Sequence, residues 1–145
     1  MHRFALRVRY ADTDRMGFAY YANYLRWFEI GRAEMMRSLG KTYREIEESG
    51  VALPVVEASC RYRKPARYDD ALVIETAVAS LARASVEFAY RVVREADGEL
   101  LAEGRTQHCF LAPDGRPVRA PEFLTALLAR APRATPGQVR PAARA

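Results

Sequence analysis

Val8-Arg9-Tyr10-Ala11-Asp12-Thr13-Asp14-Arg15-Met16-Gly17-Phe18-Ala19-Tyr20-Tyr21-Ala22-Asn23-Tyr24 joins an alternating strand to the head of a long helical pattern. Two acids and a glycine fill the joint, and an aromatic cluster follows. Such a joint can set a carboxylate beside the unpaired amides of a helix N-terminus. Those amides attract an oxyanion or polarise a carbonyl, and a carboxylate in reach can act as base or nucleophile. One short segment therefore holds most of what attack on an acyl group requires.

Upstream, Phe4, Leu6, Val8 and Tyr10 alternate with Ala5, Arg7 and Arg9, the period of a half-buried strand. Downstream, the span from about Tyr20 to Leu39 carries no proline. Its Tyr24, Trp27, Phe28, Gly31, Met35 and Leu39 share one face at helical spacing. Asn23 is a candidate N-cap and Gly40 a candidate C′ residue. The broad apolar face needs a large cover, and the rest of the chain supplies one. After a short helical turn near Tyr43–Ser49, extended segments are expected over Val51–Tyr62, Ala71–Leu81, Ser85–Glu95 and Leu100–Leu111. Asp69-Asp70, Asp97-Gly98 and Asp114-Gly115 mark turns. Glu122–Ala129 is a candidate short helix. Tight turns imply antiparallel pairing, so the expected class is α+β, with an antiparallel sheet wrapped around one long helix. A single domain over residues 1–129 and a basic Ala/Pro/Arg tail at 130–145 are expected.

Composition narrows the function. At 145 residues with half of them apolar, the chain suits one ordinary core. The net charge of +5 is concentrated at the end. Arg130, Arg133, Arg140 and Arg144 supply four positive charges with no acid, leaving a nearly neutral body. Such a tail reads as a solvated, disordered end rather than a nucleic-acid arm, and no zinc-finger, RNP or helix-turn-helix pattern accompanies it. Apolar runs fall far short of the ~20 residues that span a bilayer, so no membrane insertion is expected. The start of the chain runs straight into a strand, and Cys60 and Cys109 stand apart without a CxxC. A cytoplasmic protein with two reduced thiols and no metal is the expectation. His108 has no acid near it in sequence and reads as a packed strand histidine.

The spacing Tyr10-x-Asp12-Thr13-Asp14-x-x-Gly17-x-x-Tyr20-Tyr21-Ala22-Asn23-Tyr24-x-x-Trp27-x-Glu29 resembles the hotdog-fold acyl-CoA thioesterases. More finely, it is similar to the 4-hydroxybenzoyl-CoA thioesterase type and its Tol–Pal-associated bacterial branch. The likeness continues through Leu53-Pro54-Val55-Val56, Tyr68-Asp69-Asp70, Arg83-x-Ser85 and Thr106-x-His108, over about residues 4–125. Tyr21 departs from it, since many members of that branch carry His there.

The resemblance implies that Asp14 is the catalytic carboxylate and that the backbone N–H of Tyr21 polarises the thioester carbonyl. It implies that Gly17 lets the loop approach the acyl group. Tyr24, Arg83 and Ser85 become candidate substrate contacts, the last two toward the coenzyme A phosphates. Arg61, Arg63, Lys64 and Arg67 form a second basic cluster with equal claim to those phosphates. Asp12 reads as a loop brace. Acyl-CoA is the implied substrate, with coenzyme A entering as part of it and no separate cofactor. A homotetramer built from two edge-paired dimers is the implied assembly. Whether Asp14 attacks directly or activates water is open. A non-catalytic acyl-thioester-binding module and a hotdog dehydratase or hydratase are the alternatives. The dehydratase reading needs a histidine on the long helix, and residues 20–39 contain none.

Overall fold

The computed structural model describes residues 1–140. Its strands are β1 (His2–Arg7), β2 (Val55–Tyr62), β3 (Ala71–Leu81), β4 (Ser85–Arg94) and β5 (Leu100–Cys109). Its helices are α1 (Asn23–Ser38), α2 (Tyr43–Glu48) and α3 (Glu122–Ala129). All strands pair antiparallel in the order β1-β3-β4-β5-β2, which leaves β1 and β2 at the edges. This is the α+β arrangement expected of the sequence: one sheet curled against one long helix.

Cross-strand partners share a face of the sheet, so the register sorts the two faces. Phe4, Ile74, Val92, Ala102 and Tyr62 form one inner row, and His2, Thr76, Tyr90, Gly104 and Cys60 the next. Helix α1 lies across these rows. Phe28 stacks on Tyr90 with ring centroids 4.4 Å apart. Gly31 sits so close to β3 that an added Cβ would lie 2.5 Å from Thr76 Oγ1 and 2.7 Å from Ile74 Cγ2. Trp27, Met35 and Met36 complete the buried side of the helix. No helix of the described residues is long and apolar enough to cross a membrane.

Helix α1 begins later than the apolar pattern suggests. Its cap is Ala22, and Asn23 is its first residue. The Asn23 side chain donates instead to the Asp12 carbonyl at 2.8 Å, tying the helix start to the loop before it. Helix α2 does carry a capping box, Thr42 with Glu45.

The tail differs from its compositional reading. Val78 N–H donates to the Pro132 carbonyl and Ala134 N–H to the Val78 carbonyl, adding a parallel bridge where β3 runs beyond β1. The chain then crosses the outer face, where Arg105 Nη2 donates to the Val139 carbonyl at 2.6 Å. Val139 and Ala131 are buried. Backbone pairing and two isolated apolar anchors hold this strap, and neither depends on an apolar run that composition would reveal. Residues 141–145, the rest of that tail, lie outside the described residues.

The outer face beneath the strap carries a row of alternating charge across all five strands: Arg3, Glu75, Arg91, Glu103 and Arg61. Arg3 and Arg91 both reach Glu75, at 2.5 and 2.9 Å, while Glu103 is taken by Arg63 at 2.5 Å. Glu75 and Glu103 are both buried. Their burial is sustained by these partners.

Candidate active site

The loop between β1 and α1 folds as a small hairpin. Asp14 N–H donates to the Phe18 carbonyl and Gly17 N–H to the Asp14 carbonyl. Gly17 has φ +81°, a conformation costly for a residue with a Cβ. Ala19 N–H then bonds the Ala66 carbonyl at 2.8 Å, and the Arg67 guanidinium lies 4.9 Å from the Phe18 ring centre. The hairpin is thus pinned to the segment that follows β2. Asp12 braces it from behind. Its carboxylate accepts the Arg9 N–H, and its carbonyl accepts from Tyr20 N–H and the Asn23 amide.

This pinning opens a cleft of about 270 Å³ between the loop, the head of α1 and the end of β2. Asp14, Met16, Phe18, Tyr21, Tyr24 and Tyr62 are among its walls, and Arg63, Lys64 and Pro65 form its rim. Asp14 is half-buried there. Its Oδ1 accepts the Met16 N–H at 2.9 Å, and no described residue donates to Oδ2. One carboxylate oxygen is therefore fixed while the other stays available.

Tyr21, just before the helix, lines the same cleft. Asn23, Tyr24 and Leu25 N–H groups bond back to Tyr20, Tyr21 and Ala22 carbonyls, but those of Tyr21 and Ala22 find no acceptor among the described residues. These are the orphan donors expected at a helix start. Tyr62 steadies them: its hydroxyl donates to the Tyr21 carbonyl at 2.8 Å. The Tyr62 ring also packs edge-on against Tyr24 at 4.9 Å. Burial, then the neighbouring Cys60, pushes the Tyr62 pKa up, so this phenol stays protonated as the donor. Tyr24 is buried and accepts the Ala66 N–H through its hydroxyl. Burial pushes the Cys60 thiol up to about 11, leaving it without thiolate character near neutrality.

The remaining sequence candidates are elsewhere. Arg83 and Ser85 stand at the β3–β4 turn. Ser85 pairs with Cys109, whereas Tyr62 pairs with Ala102, so the two ends are about 23 Å apart along the strands. The structure does not bring Arg83 and Ser85 to the Asp14 cleft of the same chain. His108 is fully buried, with Nδ1–H donating to the Leu53 carbonyl at 3.0 Å and Nε2 accepting from Thr106 at 2.8 Å. It lines no part of the cleft. Tyr62 went unread in the sequence because its contact with Tyr21 spans 41 residues. Arg63 and Lys64 do come from the second basic cluster. No group of three or more His, Cys, Asp or Glu among the described residues is placed to hold a metal ion.

Comparison with known proteins fits this geometry. Residues 8–128 match the model of the thioesterase-like superfamily. The chain is 36% identical over 103 residues to a protein of Escherichia coli named acyl-CoA thioester hydrolase YbgC, covering 71% of this chain and 76% of that one. It is 32% identical over 127 residues to the 1,4-dihydroxy-2-naphthoyl-CoA hydrolase of Thermosynechococcus vestitus, covering 86% of each. Among solved structures, the hypothetical protein TT1821 from Thermus thermophilus superposes with a TM-score of 0.83 at 36% identity. That match covers 88% of this chain and 96% of the other. The chain is a hotdog-fold enzyme and belongs to the thioesterase-like superfamily.

Proposed function

We propose that the protein hydrolyses acyl-CoA thioesters to a free acid and coenzyme A, with Asp14 as the catalytic carboxylate. The observation that carries this reading is the shared cleft: it is lined both by a carboxylate with one oxygen free, Asp14, and by Tyr21, whose backbone N–H is unpaired among the described residues at the helix start. A thioester is little stabilised by resonance, so a polarised carbonyl and one activated oxygen suffice. The carbonyl oxygen accepts from the Tyr21 N–H, which strengthens as negative charge develops there.

Two routes balance. As general base, Asp14 takes a proton from water, the water oxygen adds to the carbonyl carbon, and the C–S bond breaks. The thiolate then leaves and is protonated. As nucleophile, Asp14 forms a mixed anhydride, the thiolate departs, and water opens the anhydride. Single turnover in ¹⁸O-labelled water separates the two, because hydrolysis of the anhydride at the aspartyl carbon places label in Asp14. Either way, Asp14→Asn removes the base or nucleophile. The Asn oxygen still accepts the Met16 N–H, so the loop keeps its shape. Turnover should drop by orders of magnitude with folding and acyl-CoA binding retained.

Tyr24 would form part of the wall that the acyl group meets, with Gly17 setting the turn of the Asp14 loop. Arg83 and Ser85, remote within one chain, would contact substrate only from a neighbouring copy. Such a copy is part of the reading. Edge strand β2 exposes Val55, Val56 and Tyr62, and Met16, Tyr20 and Tyr21 are exposed beside it. We place a second copy on that edge and two such dimers in a tetramer. On the Asp12-Thr13-Asp14 motif we place the protein in the 4-hydroxybenzoyl-CoA thioesterase type, Tol–Pal-associated branch, acting in the cytoplasm without a separate cofactor. The relative named acyl-CoA thioester hydrolase YbgC supports the acyl-CoA substrate.

A further inference from the structure

A second cleft, of about 500 Å³, opens on the outer side of the sheet beneath the strap. Arg63, Lys64, Arg91 and Arg140 supply its cations; Glu99 and Glu103 are its carboxylates; Gly137 and Gln138 form its roof. Arg63 and Lys64 line this cleft and the Asp14 cleft alike, so the two openings meet at one rim. We propose that this second cleft holds the phosphates of the substrate's nucleotide, with Arg140 of the strap as a phosphate-binding residue. The proposal rests on the thioesterase reading above.

Three features support it. The cations are held in place rather than trailing: Arg63 pairs with Glu103 at 2.5 Å, Lys64 with Glu99 at 2.8 Å and Arg91 with Glu75 at 2.9 Å. The strap is built to present its end. Val139 is buried, its carbonyl is taken by Arg105, and the Gln138 side chain closes the preceding turn onto Thr135. Arg140, next in the chain, is exposed and makes no ion pair with a described residue. With Arg63, Lys64 and Arg91 each held by a carboxylate, Arg140 is the cation of the groove left unpaired among the described residues, and its guanidinium is suited to grip phosphate beside the three fixed cations. The flexible arm linking thioester to nucleotide would then pass over Arg63 and Lys64. Arg83 and Ser85, at the other end of the strands, are not needed from the same chain.

The test compares a short acyl-CoA with the same acyl group on pantetheine, which lacks the nucleotide. Arg140→Glu should raise KM for acyl-CoA about tenfold. It should leave kcat, the thermal midpoint and the kinetics with acyl-pantetheine unchanged, and Arg140→Lys should restore most of the loss. An unchanged KM, or an equal rise with both substrates, overturns the proposal, as does a KM rise confined to Arg83→Glu. Calorimetric titration with adenosine 3′,5′-bisphosphate reads the cleft without turnover. Binding by the wild type that weakens in Arg140→Glu supports the assignment even if no thioester is hydrolysed, in which case only the thioesterase reading falls. Absent binding, or equal binding by both proteins, removes it.

Discussion

His108 shows how a residue that resembles a catalytic group is consumed by the core. A hydrogen-bonded chain runs from the Tyr90 hydroxyl through Thr106 to His108 and on to the Leu53 carbonyl. Burial pushes the His108 pKa down to about 4; the bond to Leu53 opposes this, and the charge on Arg32 adds to it. An unfolded histidine takes its proton near pH 6.5. Above that pH neither state carries the proton. As pH falls from about 6.5 toward 4, the unfolded state binds a proton the folded state resists, and stability is lost. The loss should be about 2 kcal/mol once partial screening is allowed for. Urea unfolding at pH 7 and pH 4.5 checks this against His108→Gln, since the carboxylates common to both proteins cancel. The wild type should lose more stability between the two pH values; equal losses would remove His108 from the acid response.

Helix α1 reaches the sheet because residue 31 has no side chain. Alanine there would gain up to about 1 kcal/mol in helix propensity. Its Cβ would, however, press on Thr76 Oγ1 at 2.5 Å and Ile74 Cγ2 at 2.7 Å, both on stiff β-branched residues inside the sheet. Overpacking of that kind costs about 1–3 kcal/mol. Gly31→Ala should therefore lower stability by about 1–2 kcal/mol in urea unfolding, and an unchanged midpoint would mean the helix is free to lift. Elements like these were legible because their signals are local: alternation gave β3, β4 and the start of β1, and helical spacing gave the buried face of α1. Strand β1 ends at Arg7, and Tyr10, expected on its apolar face, lies exposed in a 3-10 turn. The Asp14 loop was legible as a motif for the same reason. Tyr62 and the strap were not. Tyr62 matters through one hydrogen bond to a distant carbonyl, and the strap through backbone pairing that any sequence can make. Helix α1 starts at Asn23 rather than near Tyr20, and Asn23 does not cap it because its side chain bonds the Asp12 carbonyl.

For the molecule as a whole, the sheet has two unlike surfaces beyond the helix side. Edge β2 is open and exposes Val55, Val56 and Tyr62, while the middle of the outer face is already occupied by the strap. Pairing through β2 would cover Val55, Val56 and Tyr62 and close the Asp14 cleft from the open side. Sedimentation at micromolar concentration should then show a tetramer. Val56→Lys should shift it to smaller species and lower thioesterase activity with them. A wild-type monomer with full activity would rule out the shared site.

Everything the cleft is expected to do depends on the free oxygen of Asp14, which Asp14→Asn replaces without disturbing the loop. Steady-state hydrolysis of a short acyl-CoA by that variant, alongside its thermal midpoint and its affinity for the same thioester, is the decisive experiment. Turnover should fall by about a thousandfold or more while midpoint and affinity stay near wild type. A variant that keeps a near wild-type kcat would contradict the assignment of Asp14 as the catalytic carboxylate.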